Sequence, residues 1–260
     1  MMSEWHWEVT VAVFLSLLAY AGATHRAQRR YGEAVSVMRT ASFIAGLLFI
    51  VIALNGPLHL LADRYLFSAH MVQHLLLTLA APPLLLAGLR SSLIELPPVL
   101  AALLRRLTAP VIAFASYNAV LILWHLPFFY GWAMENHAVH IAEHLLFLGT
   151  ALLLWWPVAG PKLGKEGMAP PVQLLYLFLA GVPMISVAAF VTLADEPLYR
   201  FYAEAPRTFG LSPLADQVAG GVIMWVPGSL VYLLAITVVY FRWAMNERED
   251  PTEGVQDGTV

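Results

Sequence analysis

The chain has 260 residues, of which 60% are hydrophobic and 12% are charged, with a mean hydropathy of +0.70 and a formal net charge of −3. Soluble domains carry about 25% charged residues, so this composition excludes an ordinary soluble protein, and the small net charge gives no sign of nucleic-acid binding. Cysteine is absent. That absence excludes disulfides, iron–sulfur clusters and thiolate metal sites, and leaves histidine, methionine and carboxylates as metal ligands.

Several apolar stretches approach the ~20 residues that a helix needs to cross a bilayer. The sequence therefore predicts an all-α integral membrane protein, formed by a single bundle of seven transmembrane helices. We assign residues 1–245 to this bundle and 246–260 to a short polar tail, which its composition predicts to be disordered. The predicted spans are 8–24, 36–55, 69–88, 109–125, 137–158, 171–193 and 216–242.

The distribution of positive charge predicts how the bundle is oriented. Eleven of the 14 Lys and Arg residues fall in segments on one side of the predicted spans, and the exceptions are Arg64, Arg200 and Arg207. Because cationic loops stay cytoplasmic, we expect the N-terminus outside and the C-terminus in the cytoplasm.

Two His-x-x-x-His pairs open the third and fifth apolar stretches. Residues four apart lie on one face of a helix, about 6 Å from each other, and two imidazoles at that spacing can bind one metal ion. Predicted spans 3 and 5 run in the same direction, so the two pairs lie at matching depth near the outer surface. If the two spans are neighbours, four imidazoles converge on one pocket. The predicted ligands are His70, His74, His140 and His144.

Further polar side chains are predicted near this pocket. Gln73 and Glu143 hold matching positions within the two pairs, and we expect them to accept hydrogen bonds from the imidazoles, or Glu143 to bind the metal directly. His125 and His137 are additional candidate ligands. A single histidine near a helix end is usually interfacial or hydrogen-bonded, which is the role expected of His6, His25 and His59.

Four methionines are also predicted at or toward the outer half of the bundle. Thioethers suit Cu(I), and imidazole suits both oxidation states of copper. Packing is the simpler interpretation of each methionine, although Met224 is retained as a supporting residue of the pocket. The four are Met71, Met134, Met184 and Met224.

Five motifs occur in a fixed order along the chain: His70-x-x-Gln73-His74, Trp124-His125-x-Pro127-x-x-Tyr130, His140-x-x-Glu143-His144, Trp155-Trp156 and Asp216-Gln217-x-x-Gly220-Gly221-x-x-Met224-Trp225. In this ordered set the chain resembles the polytopic, seven-span CtaG-type family of bacterial cytochrome c oxidase assembly factors. The resemblance covers about residues 40–245.

The resemblance implies a role in the maturation of a haem–copper cytochrome c oxidase, in the bacterial plasma membrane, with oxidase subunits on the outer face as partners. It also implies copper as the metal that is handled. By this resemblance, the four paired histidines are the expected functional residues, and His125, Glu143 and Asp216 are expected to support them.

The leading hypothesis is therefore a non-enzymatic protein that binds copper through an outward-facing histidine cluster. Three alternatives stay open. A haem held by one histidine from each of spans 3 and 5 is the first, and a transporter that uses the histidines as a proton or metal site is the second. The third is a metalloprotease-like activity, because residues 140–144 spell an inverted zincin motif with Glu143 as general base.

Overall fold

The computed structural model describes residues 5–162 and 167–249, and all regular secondary structure in these ranges is helical. The α-helices in chain order are α1 (Trp7–Tyr31), α2 (Val37–Leu54), α3 (Gly56–Arg64), α4 (Phe67–Leu75), α5 (Ala81–Gly88), α6 (Pro98–Leu107), α7 (Pro110–His125), α8 (Pro127–Glu135), α9 (His137–Ala159), α10 (Pro170–Thr192), α11 (Arg200–Glu204) and α12 (Pro213–Glu249). A π-helical turn, Leu76–Ala80, joins α4 to α5, and Ser91–Leu93 forms a 3-10 turn.

The expectation of an all-helical chain with several candidate membrane spans is confirmed. The described ranges hold six such spans, or seven if the bent pair of α6 and α7 forms one span. Five are α1, α2, α9, α10 and α12, and the sixth is the continuous stretch Phe67–Gly88, called the central span below. The predicted span 109–125 corresponds to α7, which has only 16 residues. It reaches the length of a span only together with α6, from which it is bent by 65°.

Proline explains that bend. Pro110 has no backbone N–H to continue the ladder of α6, and it disfavours helical geometry at the residue before it. The chain therefore breaks at Thr108–Ala109 and restarts with Pro110 in the first turn of α7. At the other end of the chain, α12 runs to Glu249, so residues 246–249 of the predicted tail are helical. The remainder of that tail, 250–260, lies outside the described residues.

The central span lies in the middle of the bundle. It packs against α2, α9 and α12, while α7 contacts α9 and α10, and α10 lies along α12. Within its most apolar 18-residue window 61% of the residues are buried, against 6–44% for the other five spans. The helices that carry the two histidine pairs are therefore neighbours.

A break in the backbone ladder ties the central span to α9. Pro82 has no N–H to donate to the carbonyl of Thr78, four residues earlier. The indole Nε1 of Trp155 donates to that carbonyl at 2.9 Å instead, so a buried acceptor is satisfied from the neighbouring helix. The π-helical turn, Leu76–Ala80, begins two residues after His74.

The start of the central span is held by a residue from the far end of the chain. Asp216, in the first turn of α12, is fully buried. Its carboxylate accepts hydrogen bonds from the backbone N–H of Phe67 at 2.7 Å, from that of Ser68 at 3.1 Å and from the Ser68 hydroxyl at 2.6 Å. The first amides of α4 thus receive a charged cap that their own N-cap residue, Leu66, does not supply.

Gly88 permits the close approach of the central span to α2. A methyl group on Gly88 would lie 2.6 Å from Cβ of Phe43 and 2.9 Å from the carbonyl oxygen of Arg39. Since one of these atoms belongs to the backbone, the contact cannot be relieved by a side-chain rotation. We expect Gly88→Ala to lower the free energy of unfolding by about 1–3 kcal/mol, measured by thermal or denaturant unfolding in detergent.

Gly149 provides the matched control, because a methyl group there meets no heavy atom within 4 Å. Gly149→Ala is expected to be neutral or slightly stabilising, as alanine in an open helical position usually is. Equal stability of the two variants would contradict the close packing of α2 against the central span.

Removing the Asp216 carboxylate should loosen the first turn of α4. We expect Asp216→Ala to cost about 1–2 kcal/mol of stability and to accelerate hydrogen exchange at the amides of Phe67 and Ser68, which mass spectrometry of peptides from this region detects. Ser212→Ala is the control, because the Ser212 hydroxyl accepts a comparable but exposed hydrogen bond from Ala215. Unchanged exchange in α4 would show that Asp216 does not cap this helix.

Candidate metal centre

The structure brings the two histidine pairs into one buried group. Ring centroids are 4.2 Å apart for His70 and His74, and 4.3 Å apart for His140 and His144. Between the pairs, His70 lies 5.5 Å from His140, and His74 lies 5.8 Å from His144. None of the four residues is more than 7% exposed. The helical spacing of each pair and the contact between the central span and α9 together produce this convergence.

Two sets of ligand atoms within this group are close enough to hold a metal ion. His70, His74 and His144 form one set, and His70, His140 and Glu143 form the other. Within each set the candidate ligand atoms lie within 4.8 Å of one another. Because the sets share His70, they describe one continuous centre.

Glu143 is the carboxylate of this centre. It is fully buried, with Oε1 3.8 Å from Nε2 of His74 and Oε2 4.0 Å from Nε2 of His140. Neither carboxylate oxygen has a hydrogen-bond partner among the described residues. An isolated buried carboxylate is costly, and a cation between Glu143 and the surrounding imidazoles would compensate it. Of the two roles predicted for Glu143, this arrangement favours a direct ligand.

A second tier of histidines extends the group. Nε2 of His59 lies 2.8 Å from Nε2 of His6 and 3.2 Å from Oδ2 of Asp63. The His59 ring is 6.4 Å from those of both His140 and His144. His6 and His59 are hydrogen-bonded, as expected, but their partners place them beside the metal centre. The sequence feature that could have placed His59 beside the cluster is the His59-x-x-x-Asp63 spacing, since it repeats the one-turn spacing of the two pairs.

His59 is a neutral imidazole at physiological pH. Burial, followed by the nearby His6, lowers its pKa to about 3. Gln73 lies 3.0 Å from Nδ1 of His59 through its amide nitrogen, so Gln73 donates and fixes the tautomer of His59. The prediction that Gln73 accepts from an imidazole therefore differs from the structure in both the partner and the direction of the bond.

Tyr202 orients His70 from α11. Its hydroxyl donates to the carbonyl of Ala62 at 2.5 Å and lies 3.2 Å from Nδ1 of His70. Since the hydroxyl has a single proton, Nδ1–H of His70 donates to Tyr202, and Nε2 of His70 keeps its lone pair toward His74, 2.8 Å away. Sequence reasoning missed Tyr202, because 132 residues separate it from His70.

The remaining predicted residues lie around this centre rather than within it. His125 is buried on the membrane-interior side, 6.1 Å from His74, and Met224 lines a small cavity beside both. His137 is exposed and lies 6.2 Å from His6. Asp216 caps α4 as described above. His25 is exposed on α1, 18 residues after the start of that helix, about 27 Å along its axis.

A groove of about 330 Å³ leads to the centre between α1, α2, α3 and α9. Its walls are mostly apolar, and its polar residues are His6, Glu8, Ser16, His59, Asp63, His137, His140 and His144. Of the four clustered histidines, His140 and His144 line this groove. Neutral imidazoles with one carboxylate form a ligand set suited to Cu(II) or Zn(II).

Comparisons with known proteins agree with the motif-based resemblance. Uncharacterized proteins of Mycobacterium bovis and Mycobacterium tuberculosis are each 27% identical to this chain over 274 residues, and one of Mycobacterium leprae is 25% identical over 254 residues. The first two alignments cover 92% of this chain and the third covers 84%, but the chain spans only 36–40% of the length of these relatives. No solved structure matches the chain.

The family comparison covers nearly the whole bundle. A family model described as cytochrome c oxidase caa3 assembly factor (Caa3_CtaG) matches residues 18–246, which include both histidine pairs and the helix that caps the central span. The chain therefore belongs to the Caa3_CtaG family of cytochrome c oxidase assembly factors.

Proposed function

We propose that this protein binds a copper ion in the histidine cluster, on the outer side of the membrane, and passes it to a subunit of cytochrome c oxidase during assembly. The observation that carries the proposal is the pair of ligand sets that share His70, each with donor atoms within 4.8 Å of one another. The family's role in oxidase assembly identifies the oxidase as the proposed recipient of the copper ion. The same role indicates that the protein is not an enzyme but an assembly factor.

Copper fits the donors better than other divalent ions. For nitrogen and oxygen ligands, affinity among first-row divalent metals peaks at copper. Glu143 would supply one negative charge to a bound cation in this buried setting. Transfer would proceed by ligand exchange through the groove, where His137 and His6 lie at the more exposed side of the cluster.

The packing of the helices favours a single ion over haem. A haem bound by one histidine from each helix needs its macrocycle between the central span and α9. α9 packs directly on the π-helical turn and α5, just beyond the histidines, and Trp155 of α9 is bonded to Thr78 only four residues after His74. Glu143 also occupies the space between the two histidine pairs.

The charges at the two ends of the bundle support the proposed orientation. At the end opposite the cluster, Arg30 pairs with Glu95 and Arg90 pairs with Glu33, each at 3.1 Å, and Arg39 donates to the carbonyls of Ala87 and Leu89. An end rich in arginine is retained in the cytoplasm. The histidine cluster then faces the outside, where the copper centre of an oxidase subunit could be loaded.

Removing one ligand from each pair should abolish copper binding at the cluster. The wild-type protein, purified in detergent and loaded with Cu(II), is expected to retain about one copper ion per chain. His74→Ala/His144→Ala is expected to retain almost none, because each substitution removes an imidazole from the shared centre. Elemental analysis after desalting measures both.

His25→Ala is the matched control, since it removes an exposed imidazole far from the cluster, and it should retain wild-type copper. In cells lacking the gene, wild-type protein and His25→Ala should restore oxidase activity, whereas the double variant should require added copper. Full copper retention by the double variant would overturn the proposed site. Normal oxidase assembly with that variant at low copper would overturn the proposed delivery.

The absence of cysteine makes orientation easy to test. Glu204→Cys lies at the end of the bundle that holds the cluster, and Glu95→Cys lies at the opposite end, and both side chains are well exposed. A membrane-impermeant maleimide should label Glu204→Cys in intact cells and should label Glu95→Cys only after the membrane is opened. The reverse pattern would place the cluster in the cytoplasm.

A further inference from the structure

A small cavity lies directly below the histidine cluster, toward the middle of the membrane. It has room for about one water-sized group. Its lining combines three thioethers with two imidazoles, from the buried residues Met71, Met184, Met224, His74 and His125. These five residues come from four different helices and define what we call the sulfur-lined cavity.

Both imidazoles hold a ring nitrogen without a partner. Nδ1 of His74 and Nε2 of His125 are buried and have no hydrogen-bond partner among the described residues. His74 is 5% exposed and His125 is 3% exposed, so water at the protein surface does not satisfy these nitrogens. Buried polar atoms are rarely left unpaired, and their presence beside a cavity points to a ligand within it.

The hydrogen bonds around the two rings show that both unpaired nitrogens carry lone pairs. Nδ1 of His125 lies 2.7 Å from the carbonyl of Leu121, so this nitrogen donates and Nε2 is unprotonated. Because Nε2 of His70 keeps its lone pair, Nε2 of His74 donates to it, and Nδ1 of His74 is unprotonated. The cavity therefore offers electron-pair donors from nitrogen and sulfur.

The backbone of α12 makes space for one of the thioethers. A methyl group on Gly228 would lie 2.7 Å from Cε and 2.9 Å from Sδ of Met184. Glycine at this position allows Met184 to lie against α12 on the same side as Met224. Thioethers are soft ligands that select Cu(I) over harder cations.

We propose that the sulfur-lined cavity is a second metal site, selective for Cu(I), below the histidine cluster. The inference extends the proposed function: imidazole suits Cu(I) as well as Cu(II), so an ion that enters the cluster as Cu(I) would reach the cavity with no change of oxidation state. His74 connects the two sites, because its Nε2 faces the cluster and its Nδ1 is available to the cavity. A neutral imidazole has one unprotonated ring nitrogen, so His74 can bind a metal ion in only one of the two sites at a time. When the ion moves between the sites, the proton of His74 must move from one ring nitrogen to the other, but the ring does not need to rotate.

X-ray absorption spectroscopy of the detergent-purified full chain, loaded anaerobically with one equivalent of Cu(I), tests the proposal. We expect sulfur as well as nitrogen neighbours around copper in the wild-type protein. Met184→Leu/Met224→Leu, which leaves Met71 as the one thioether of the cavity, should have fewer sulfur neighbours around copper and should weaken Cu(I) binding by roughly 10- to 100-fold against a chromogenic chelator. Leucine replaces methionine at little cost to packing, and Cu(II) retention by the cluster should stay at the wild-type level.

Met134→Leu is the matched control, because Met134 lies near Tyr202 and does not line the cavity. It should keep both the sulfur signal and the affinity. A wild-type spectrum with nitrogen and oxygen neighbours alone, together with unchanged affinity in the double variant, would show that the cavity holds only water. Failure of the cluster itself is distinguishable, because it abolishes Cu(II) retention without removing the sulfur signal of Cu(I).

Discussion

The arrangement of this protein depends on the direct packing of the central span against α9. Each helix brings one His-x-x-x-His pair, and neither pair alone provides more than two imidazoles. The hydrogen bond from Trp155 to the carbonyl freed by Pro82 fixes the two helices one turn below the histidines. The carbonyl that Pro82 leaves unpaired is thus used for a contact between the two helices that carry the histidine pairs.

Local patterns in the sequence were sufficient for the parts of the site that lie on single helices. The repeated spacing of His70 and His74 and of His140 and His144 predicts two matched faces, and the hydropathy of the chain predicts that both lie at the same depth. That the two spans are neighbours was left open by the sequence, and the structure shows it. The bend between α6 and α7 was not predicted, although Pro110 was visible. A hydropathy window averages over a proline and does not register that the helix changes direction there.

The residues that support the site were harder to predict, because long-range contacts define them. Tyr202 and Asp216 act on residues 132 and 149 positions away, respectively, and neither stands in a spacing that points to its partner. Asp216 entered the candidate set by resemblance alone, and the structure gives it a physical role as the cap of α4. His6, the residue before α1, also joins the cluster through a long-range contact, in this case with His59.

The cap on α4 also bears on biogenesis. Polytopic proteins are synthesised from the N-terminus, so α4 and α9 are made before Asp216. Until α12 is inserted, the amides of Phe67 and Ser68 have no carboxylate, and the turn that carries His70 is not anchored. The first turn of α4, and with it the position of His70, is therefore fixed only after α12 has been inserted.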